Sequence, residues 1–599
     1  MNQQGLEDIE MARQMTTNGC YNKAFDLYIM AFEKNVAIKS AYESEFRMVM
    51  TQLNEVLMTA NKMEDVFINY TRALMTYPNS IIILNDMGKF LFKCGFYEKA
   101  WEHFEEALNL DYTFVNAEKN FNSLKNLLVE RWHFRMLNDK VRNEAYRAAI
   151  HETVIPRVDT ILDLGTGTGL LTVYASECSP RITTACDGSK VMSDLATAIT
   201  QENGCEHCII VNKLSTEMQL HEAGGKRTLL LTEVFDAGLF GEHVLQSLIH
   251  AWENMLTDNA RVIPSKAEFF IIGAKCDFLH KRYQLCSPIK EILNVQNMNV
   301  HVLTFDETYD CEDVHFYGDD IKYMTEAKSL VCVDFNNCQE LKNLIEMDHC
   351  EVEMVVQETG EINTVIGFFN LYLTDNVTIT TDPRSDRRAN AWHLRFLCDE
   401  WTQEGFKDEK YHAIFCNIFE VCGEIDLRLK AMAEHLKQHH LIQEGLFLPA
   451  SIKLMGQIVK SNWLDINNKL YDENVSNYKI SKHLNPYQVT QNFCIDFSHL
   501  EYTPLSDVCV FGTSDSTEGV EVIDVPIIKD GLANAVLCWY IIELVQDLRE
   551  VTTNRKNCFI DGIVFITDPK IRVYRGQSTP VLRSVDSDGA FKLTMHLEE

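Results

Sequence analysis

Residues 7 to about 125 carry apolar and small side chains at helical spacing, which predicts a series of paired amphipathic helices. Around Ala100 the pattern runs Leu84, Met87, Gly88, Leu91, Gly95, Ala100, Phe104 and Ala107. An earlier copy carries Val66, Tyr70, Ala73 and Pro78, and Val66 and Ala100 lie 34 residues apart. A weaker third copy holds Gly19, Ala24, Tyr28 and Ala31. That period, with small residues where two helices cross closely, matches tetratricopeptide repeats, whose stacked hairpins leave a concave face for a partner peptide. A plain helical bundle is the alternative.

Beyond residue 150 the period changes. Thr160-Ile161-Leu162-Asp163-Leu164 is a short buried-strand pattern that runs into Gly165-Thr166-Gly167-Thr168-Gly169 and then an apolar helix from Leu170. This predicts strand, glycine turn and helix. A second strand, Ile182 to Cys186, ends in Asp187, 22 residues after Gly165, and a third, Thr228 to Val234, leads into EVFDAGLFGE. A longer repetition follows. TEVFDAGLFGEHVLQSLIHAW and its continuation VIPSKAEFFIIGAKC return later as IFCNIFEVCGEIDLRLKAMAEHL and FLPASIKLMGQIVKS, with Pro264 and Pro449 separated by 185 residues. Gly367 to Leu373 is likewise echoed by Ala535 to Ile541. The later copy has too few residues between Trp401 and Asn417 for a nucleotide-binding half, and Asn417 replaces the acid Glu233. It is therefore expected to be structural, without a cofactor site.

Composition narrows the class. At 599 residues the chain is too long for one core, and 46% hydrophobic content with 10% aromatics and only 12 prolines excludes a disordered or low-complexity chain. Lys plus Arg number 55 against 87 Asp plus Glu, a net charge of −32, which argues against nucleic acid or an anionic membrane as partner and favours a basic ligand. Nineteen scattered cysteines read as reduced thiols, expected in cytosol or nucleus, and the single Cys205/Cys208 pair lacks a second pair at zinc spacing. No metal is expected. The acidic amino terminus and the short apolar run near Leu532 to Val545 lead to the expectation of no targeting segment or membrane span.

The glycine turn lets backbone approach a ligand without Cβ clash at the carboxyl end of a parallel strand. Its spacing is G-x-G-x-G, and Leu170 stands where a dinucleotide fingerprint needs its third glycine. That weakens a pyrophosphate cofactor and favours a nucleoside such as S-adenosylmethionine, with Asp187 accepting from the ribose hydroxyls. Glu233, Asp236 and Glu242 fall within ten residues of an otherwise apolar loop, where Gly238 and Gly241 allow it to fold back. Two facing carboxylates need a cation between them, and a guanidinium fits as a planar fork of donors.

WHFRMLNDKVRNEAYRAAI (Trp132 to Ile150), LDLGTGTGLL (Leu162 to Leu171), Asp187 and TEVFDAGLFGEHVLQSLIHAW (Thr232 to Trp252) together resemble the protein arginine methyltransferases, in the branch with amino-terminal repeats and tandem modules. The resemblance implies a multidomain fold: all-α repeats over 7–125, a Rossmann-like S-adenosylmethionine-binding α/β domain over 130–262, and a β-barrel substrate domain with a dimerisation-arm-like insertion over 263–405. A degenerate, mostly β-barrel second module would occupy 406–599. It further implies that Arg142 binds the cofactor's methionine carboxylate, that Asp163 with Gly165, Gly167 and Gly169 shapes the pocket, and that Asp187 holds the ribose. Ser215 would lie near adenine, Met136 beside the methyl group, and Glu233 with Glu242 would grip the target arginine.

Where the family has Thr-His-Trp in the substrate pocket, this chain has Asn390-Ala391-Trp392, compatible with symmetric dimethylation. The implied partners are arginine-containing, splicing-related proteins, with no direct nucleic acid and no membrane, and the implied assembly is a monomeric pseudo-dimer in the cytoplasm and nucleus. A catalytically weak scaffold and an asymmetric methyltransferase remain as alternatives.

Overall fold

The computed structural model describes residues 5–277, 279, 314, 320–347, 349–385, 411–416, 418–419, 425, 427–439, 441–495, 497, 500–513, 518–545, 549–554, 560–586 and 589–595. The chain forms two compact units, one of Met1–Leu127, Asp515–Asp524 and Thr579–Glu599, the other of Leu128–Ser514 and Val525–Ser578. Among the described residues no helix is long and apolar enough to cross a membrane; the apolar run near Leu532 is a β-strand.

The first unit begins with seven helices: α1 (Leu6–Thr17), α2 (Tyr21–Lys34), α3 (Lys39–Thr59), α4 (Met63–Thr76), α5 (Ile81–Lys93), α6 (Tyr97–Leu110) and α7 (Val115–Leu128). Three of the tight turns between successive helices pass through a left-handed residue: Gly19, Asn61 and Gly95, at φ 71°, 56° and 80°. The small residues have a steric cause. A Cβ built on Gly88 of α5 would lie 2.6 Å from the Phe104 ring of α6, so only glycine lets that aromatic seat fully. Residues 515–524 and 579–599 belong to the same unit as these helices. Charge pairing holds them: Lys592 pairs with Glu118 and donates to the Tyr112 carbonyl at 2.9 Å, and Asp586 accepts from the Asn116 N–H at 2.9 Å.

The second unit opens with α8 (Trp132–Asn138) and α9 (Lys140–Thr153), which Asp139 caps by accepting from the Arg142 N–H. An alternating α/β stretch follows: β1 (Thr160–Leu164), α10 (Leu170–Glu177), β2 (Ile182–Asp187), α11 (Lys190–Glu202), β3 (Ile209–Asn212), α12 (Leu220–Ala223), β4 (Arg227–Thr232), α13 (Val244–Asn254) and β5 (Leu256–Ile263). The strands are parallel in the order β3-β2-β1-β4-β5. The order reverses between β1 and β4, and at such a switch point the loops part to leave a crevice outside the carboxyl ends of the strands.

The chain then turns antiparallel. After Pro264, β6 (Lys266–Cys276) pairs with the strand Thr364–Tyr372, setting Phe269 opposite Phe369. After Pro449, the strand Ser451–Lys460 pairs in the same sense with Gly531–Val545, setting Leu454 opposite Tyr540. The segment between Asn462 and Tyr487 leaves that second sheet, and its Leu470, Val475, Ile480 and Leu484 are buried in the same apolar core as Leu162, Tyr174 and Ile199 of the parallel sheet and its helices. Polar contacts hold the segment there. The Asn138 amide donates to the carbonyls of Ile466 and Lys469 at 2.9 and 2.8 Å, and the Tyr174 hydroxyl donates to Ser476 at 2.7 Å. The insertion expected within 263–405 falls largely outside the described residues, as does Asn417.

Replacing Gly88 by leucine should force Phe104 out of its seat and lower the stability of the helical unit by about 1–3 kcal/mol. Urea unfolding followed by circular dichroism checks this, and an unchanged midpoint would contradict the close packing of Phe104 on Gly88.

Candidate active site

The glycine turn leaves β1 with Gly165, Gly167 and Gly169 all left-handed, at φ 69°, 56° and 80°. A Cβ on Gly165 would stand 2.3 Å from a Val234 methyl, so the turn needs glycine both for its dihedral and for the closeness of the loop after β4. Asp187, at the end of β2, closes on the turn: one oxygen accepts from the Gly167 N–H at 2.9 Å and the other from Ser189 at 2.8 Å. Burial raises its carboxyl above the ordinary value, against the pull of those two hydrogen bonds.

Asp163 lies fully buried on β1 beneath the turn. Its Oδ2 accepts from the hydroxyls of Thr166 and Thr172, each at 2.7 Å, while its Oδ1 is buried with no partner among the described residues. Burial pushes this carboxyl up to about 6, opposing those hydrogen bonds. A buried acceptor left in this state costs stability unless a ligand supplies the donor.

The acidic loop starts beside the turn because β1 and β4 run in register, with Leu164 opposite Thr232. Glu233 therefore emerges next to Gly165. It is met by Arg142 from α9, whose Nε donates to Oε1 at 2.6 Å and whose Nη2 pairs with Oε2. The third guanidinium nitrogen donates to Asn143 Oδ1 at 2.8 Å, and the Tyr146 ring lies 5.3 Å from the guanidinium carbon. Burial alone would pull Arg142 down, but the charge and hydrogen bonds of Glu233 hold it above its ordinary value.

The loop is bent back by Asp236, whose carboxylate accepts from the Gly241 N–H at 2.8 Å. Two non-glycine residues take left-handed dihedrals in it, Leu239 at φ 73° and His243 at φ 60°. Such positions cost about 1–3 kcal/mol each and persist only where the surroundings enforce them. The bend carries Glu242 back into the field of Glu233. Although its side chain keeps an open surface, burial in the cleft, then Glu233, Asp236 and Glu130, push its carboxyl up to about 7.

Met136 sits on α8, packed half-buried against the main core. Ser215 follows β3, and its hydroxyl shares a 2.7 Å hydrogen bond with Ser247 of α13, which ties the third strand's loop to the helix after the acidic loop. Trp392, with Asn390 and Ala391, lies outside the described residues. Burial pulls His133 down to about 4, so it is neutral near pH 7 and serves the core. Among the described residues no cluster of three or more His, Cys, Asp or Glu is arranged to hold a metal. Sequence reading passed over Asn143, Tyr146, Thr166 and Thr172. Tyr146 lies one turn after Arg142 on α9 and Asn143 is its chain neighbour, while Thr166 precedes Gly167 and Thr172 lies in the first turn of α10, a proximity signal that was available.

The glycine turn with Asp187 beside it is compatible by chemistry with the ribose of a nucleoside such as S-adenosylmethionine. No family model matches the chain. Protein arginine N-methyltransferase 9 of Homo sapiens is 30% identical over 412 residues, covering 64% of this chain and 48% of the human protein. The Xenopus laevis protein of the same name is 31% identical over 376 residues, covering 58% and 45%. The chain thus spans about half the length of these curated relatives. An arginine N(omega)-methyltransferase of Streptomyces achromogenes subsp. streptozoticus is 26% identical over 261 residues, covering 43% of this chain and 69% of that protein. Among solved structures, a Trypanosoma brucei PRMT1 enzyme-prozyme heterotetrameric complex with AdoHcy aligns at 20% identity and TM-score 0.32, over 45% of this chain and 82% of that one.

The raised Glu242 carboxyl can be observed directly. Carbon-detected NMR of labelled glutamate should show it titrating near 7, and Glu233→Gln should lower that midpoint without returning it to the usual carboxylate range, since burial is the larger cause. A Glu242 midpoint unmoved by Glu233→Gln would show that the two acids do not share a site.

Proposed function

We propose that this chain, a member of the protein arginine N-methyltransferase family, transfers methyl groups from S-adenosylmethionine to guanidino nitrogens of protein arginines, giving mono- and symmetric dimethylarginine. The observation that carries the reading is the placement of Glu233, which leaves β4 in register with β1 beside the glycine turn, at the start of an acidic loop that Asp236 bends back through the Gly241 N–H. Glu130, Glu233 and Asp236 all act on the Glu242 carboxyl, an accumulation of negative charge that favours a cation. The asparagine-alanine-tryptophan sequence at Asn390 to Trp392 supports the symmetric product.

S-adenosylmethionine supplies a methyl group on a positive sulfur. A guanidinium brought to ~4 Å from that charge is repelled by roughly 4 kcal/mol at an effective dielectric near 20, about three powers of ten in rate. Glu233 and Glu242 offset this repulsion and fix the guanidinium plane, so that one nitrogen faces the methyl group for in-line attack. Positioning also polarises the group: charge held on the nitrogens that donate to the carboxylates leaves the attacking nitrogen richer in electron density. The substrate arginine need not be deprotonated first, and Glu242, poised near neutrality, is placed to accept the proton as methyl transfer proceeds.

The helical repeats recruit the protein substrate, of the splicing-related kind, in the cytoplasm and nucleus. The assembly is a monomeric pseudo-dimer, a reading supported by the packing of residues 462–487 against α8 to α11 within one chain.

Two measurements test the proposal. Glu233→Gln should lose roughly a hundredfold or more in methylation of an arginine-rich protein while keeping its fold, because a charge-assisted contact of the transition state is gone. Activity near wild type would reject Glu233 as an arginine clamp. Mass spectrometry of the product should show the neutral loss of symmetric dimethylarginine, and the asymmetric signature would overturn the product assignment.

A further inference from the structure

Cys205-Glu206-His207-Cys208 forms a turn between α11 and β3 that takes no part in the proposed methyl transfer. The Cys208 N–H donates to the Cys205 carbonyl at 3.0 Å. Such a bond closes a four-residue turn whose end Cα atoms lie within ~7 Å of each other, the reach of a disulfide. Both thiols are free, Cys205 buried and Cys208 partly open to solvent. Cys208 Sγ rests 3.1 Å from Ser176 Oγ on α10. The two thiols also feel one another: burial first, and then the charge of Cys205, raise the Cys208 thiol above its ordinary value against the hydrogen bond with Ser176.

Position sets the chemistry of the pair. The Cys205 N–H donates to the Thr200 carbonyl at 2.8 Å and Gly204 is left-handed at φ 76°, so the turn begins directly past the carboxyl end of α11. The negative end of a helix disfavours a thiolate, and so does burial. Disulfides become strong oxidants where the protein stabilises the reduced thiolate; neither the helix end nor burial does so here, and the closed form is therefore a durable one.

We propose that Cys205 and Cys208 are a reversible redox site, which a small-molecule disulfide such as that of glutathione closes across the turn. The thiolate of the more open Cys208 attacks the incoming S–S bond, which breaks to release one thiolate and leaves a mixed disulfide. Cys205 then loses its proton to solvent and attacks the Cys208 sulfur, expelling the second thiolate. Two protein thiols are oxidised, one small disulfide is reduced to two thiols, and the two protons pass through solvent to the departing groups. The same helix end is a docking point: Asn203 Oδ1 accepts from the Lys479 N–H at 3.0 Å, and Glu202 pairs with Lys482 and His483. Closing the turn fixes the platform on which residues 479–483 sit. The site stands independently of the proposed methyl transfer.

The test is peptide mapping of the native full chain after incubation in an equimolar, millimolar mixture of reduced and oxidised glutathione, with acid quench, denaturation and alkylation. The tryptic fragment from Val191 to Lys213 contains these two cysteines and no other. At least half of it should be recovered without alkyl groups and two hydrogens lighter than the reduced fragment, and dithiothreitol should return the doubly alkylated form. A fragment that stays doubly alkylated, or that holds glutathione in place of the internal bond, overturns the proposal, as does closure that appears only after unfolding in urea. Cys205→Ser should trap glutathione on Cys208, while Cys208→Ser should leave the buried Cys205 free of it; the reverse pattern overturns Cys208 as the attacking thiol. The wild-type map decides the matter even if neither variant folds.

Discussion

The contact between Gly165 and Val234 is the constraint on which the site depends. A Cβ at Gly165 would lie 2.3 Å from the valine methyl, so the glycine turn and the acidic loop are in van der Waals contact and neither can move alone. The parallel pairing of β1 and β4 sets up that contact by placing Leu164 opposite Thr232. From it follows the juxtaposition that gives the cleft its chemistry: a nucleoside-type turn on one strand and a carboxylate on the next. Asp187 then braces the turn from the other side through the Gly167 N–H.

Around this frame the buried charges differ in how far they are compensated. Glu233 offsets the cost of burying the Arg142 guanidinium and holds it above its ordinary value against desolvation. Asp163 shows the converse. Two threonine hydroxyls satisfy one oxygen, the other has no partner among the described residues, and the carboxyl rises to about 6. Glu242 rises further, to about 7, through partial desolvation and the field of three other acids, although its side chain keeps an open surface. Carboxylates held above their normal range in one cleft are a mark of sites built to receive a cation or a proton.

The second half of the chain contributes to this cleft from a distance. The segment from 462 to 487 buries Leu470, Val475, Ile480 and Leu484 in the core of the parallel-sheet domain, and Asn138 ties the end of α8 to its backbone. That helix and the next carry Met136 and Arg142, so their seating depends partly on residues more than three hundred positions away. Residues far along the chain thus serve the core that holds the glycine turn.

Local chemistry made much of the site legible. Glycines at 165, 167 and 169 announce left-handed dihedrals because no other residue adopts them at so little cost, and the apolar strand patterns Thr160 to Leu164 and Thr228 to Val234 were legible, although the second strand ends at Thr232, two residues earlier than read. Gly88 and Phe104 announce a close helix crossing for the same steric reason. Tertiary structure alone decided that Arg142 meets Glu233 across 91 residues of chain, that Asp163 keeps one oxygen without a partner, and that the terminal hairpin joins the helices through Lys592 and Glu118. Dihedral preference and hydrophobic period are properties of neighbouring residues and can be read in order along the chain. Which charge faces which depends on strand register and side-chain rotation after packing, and no local pattern encodes that.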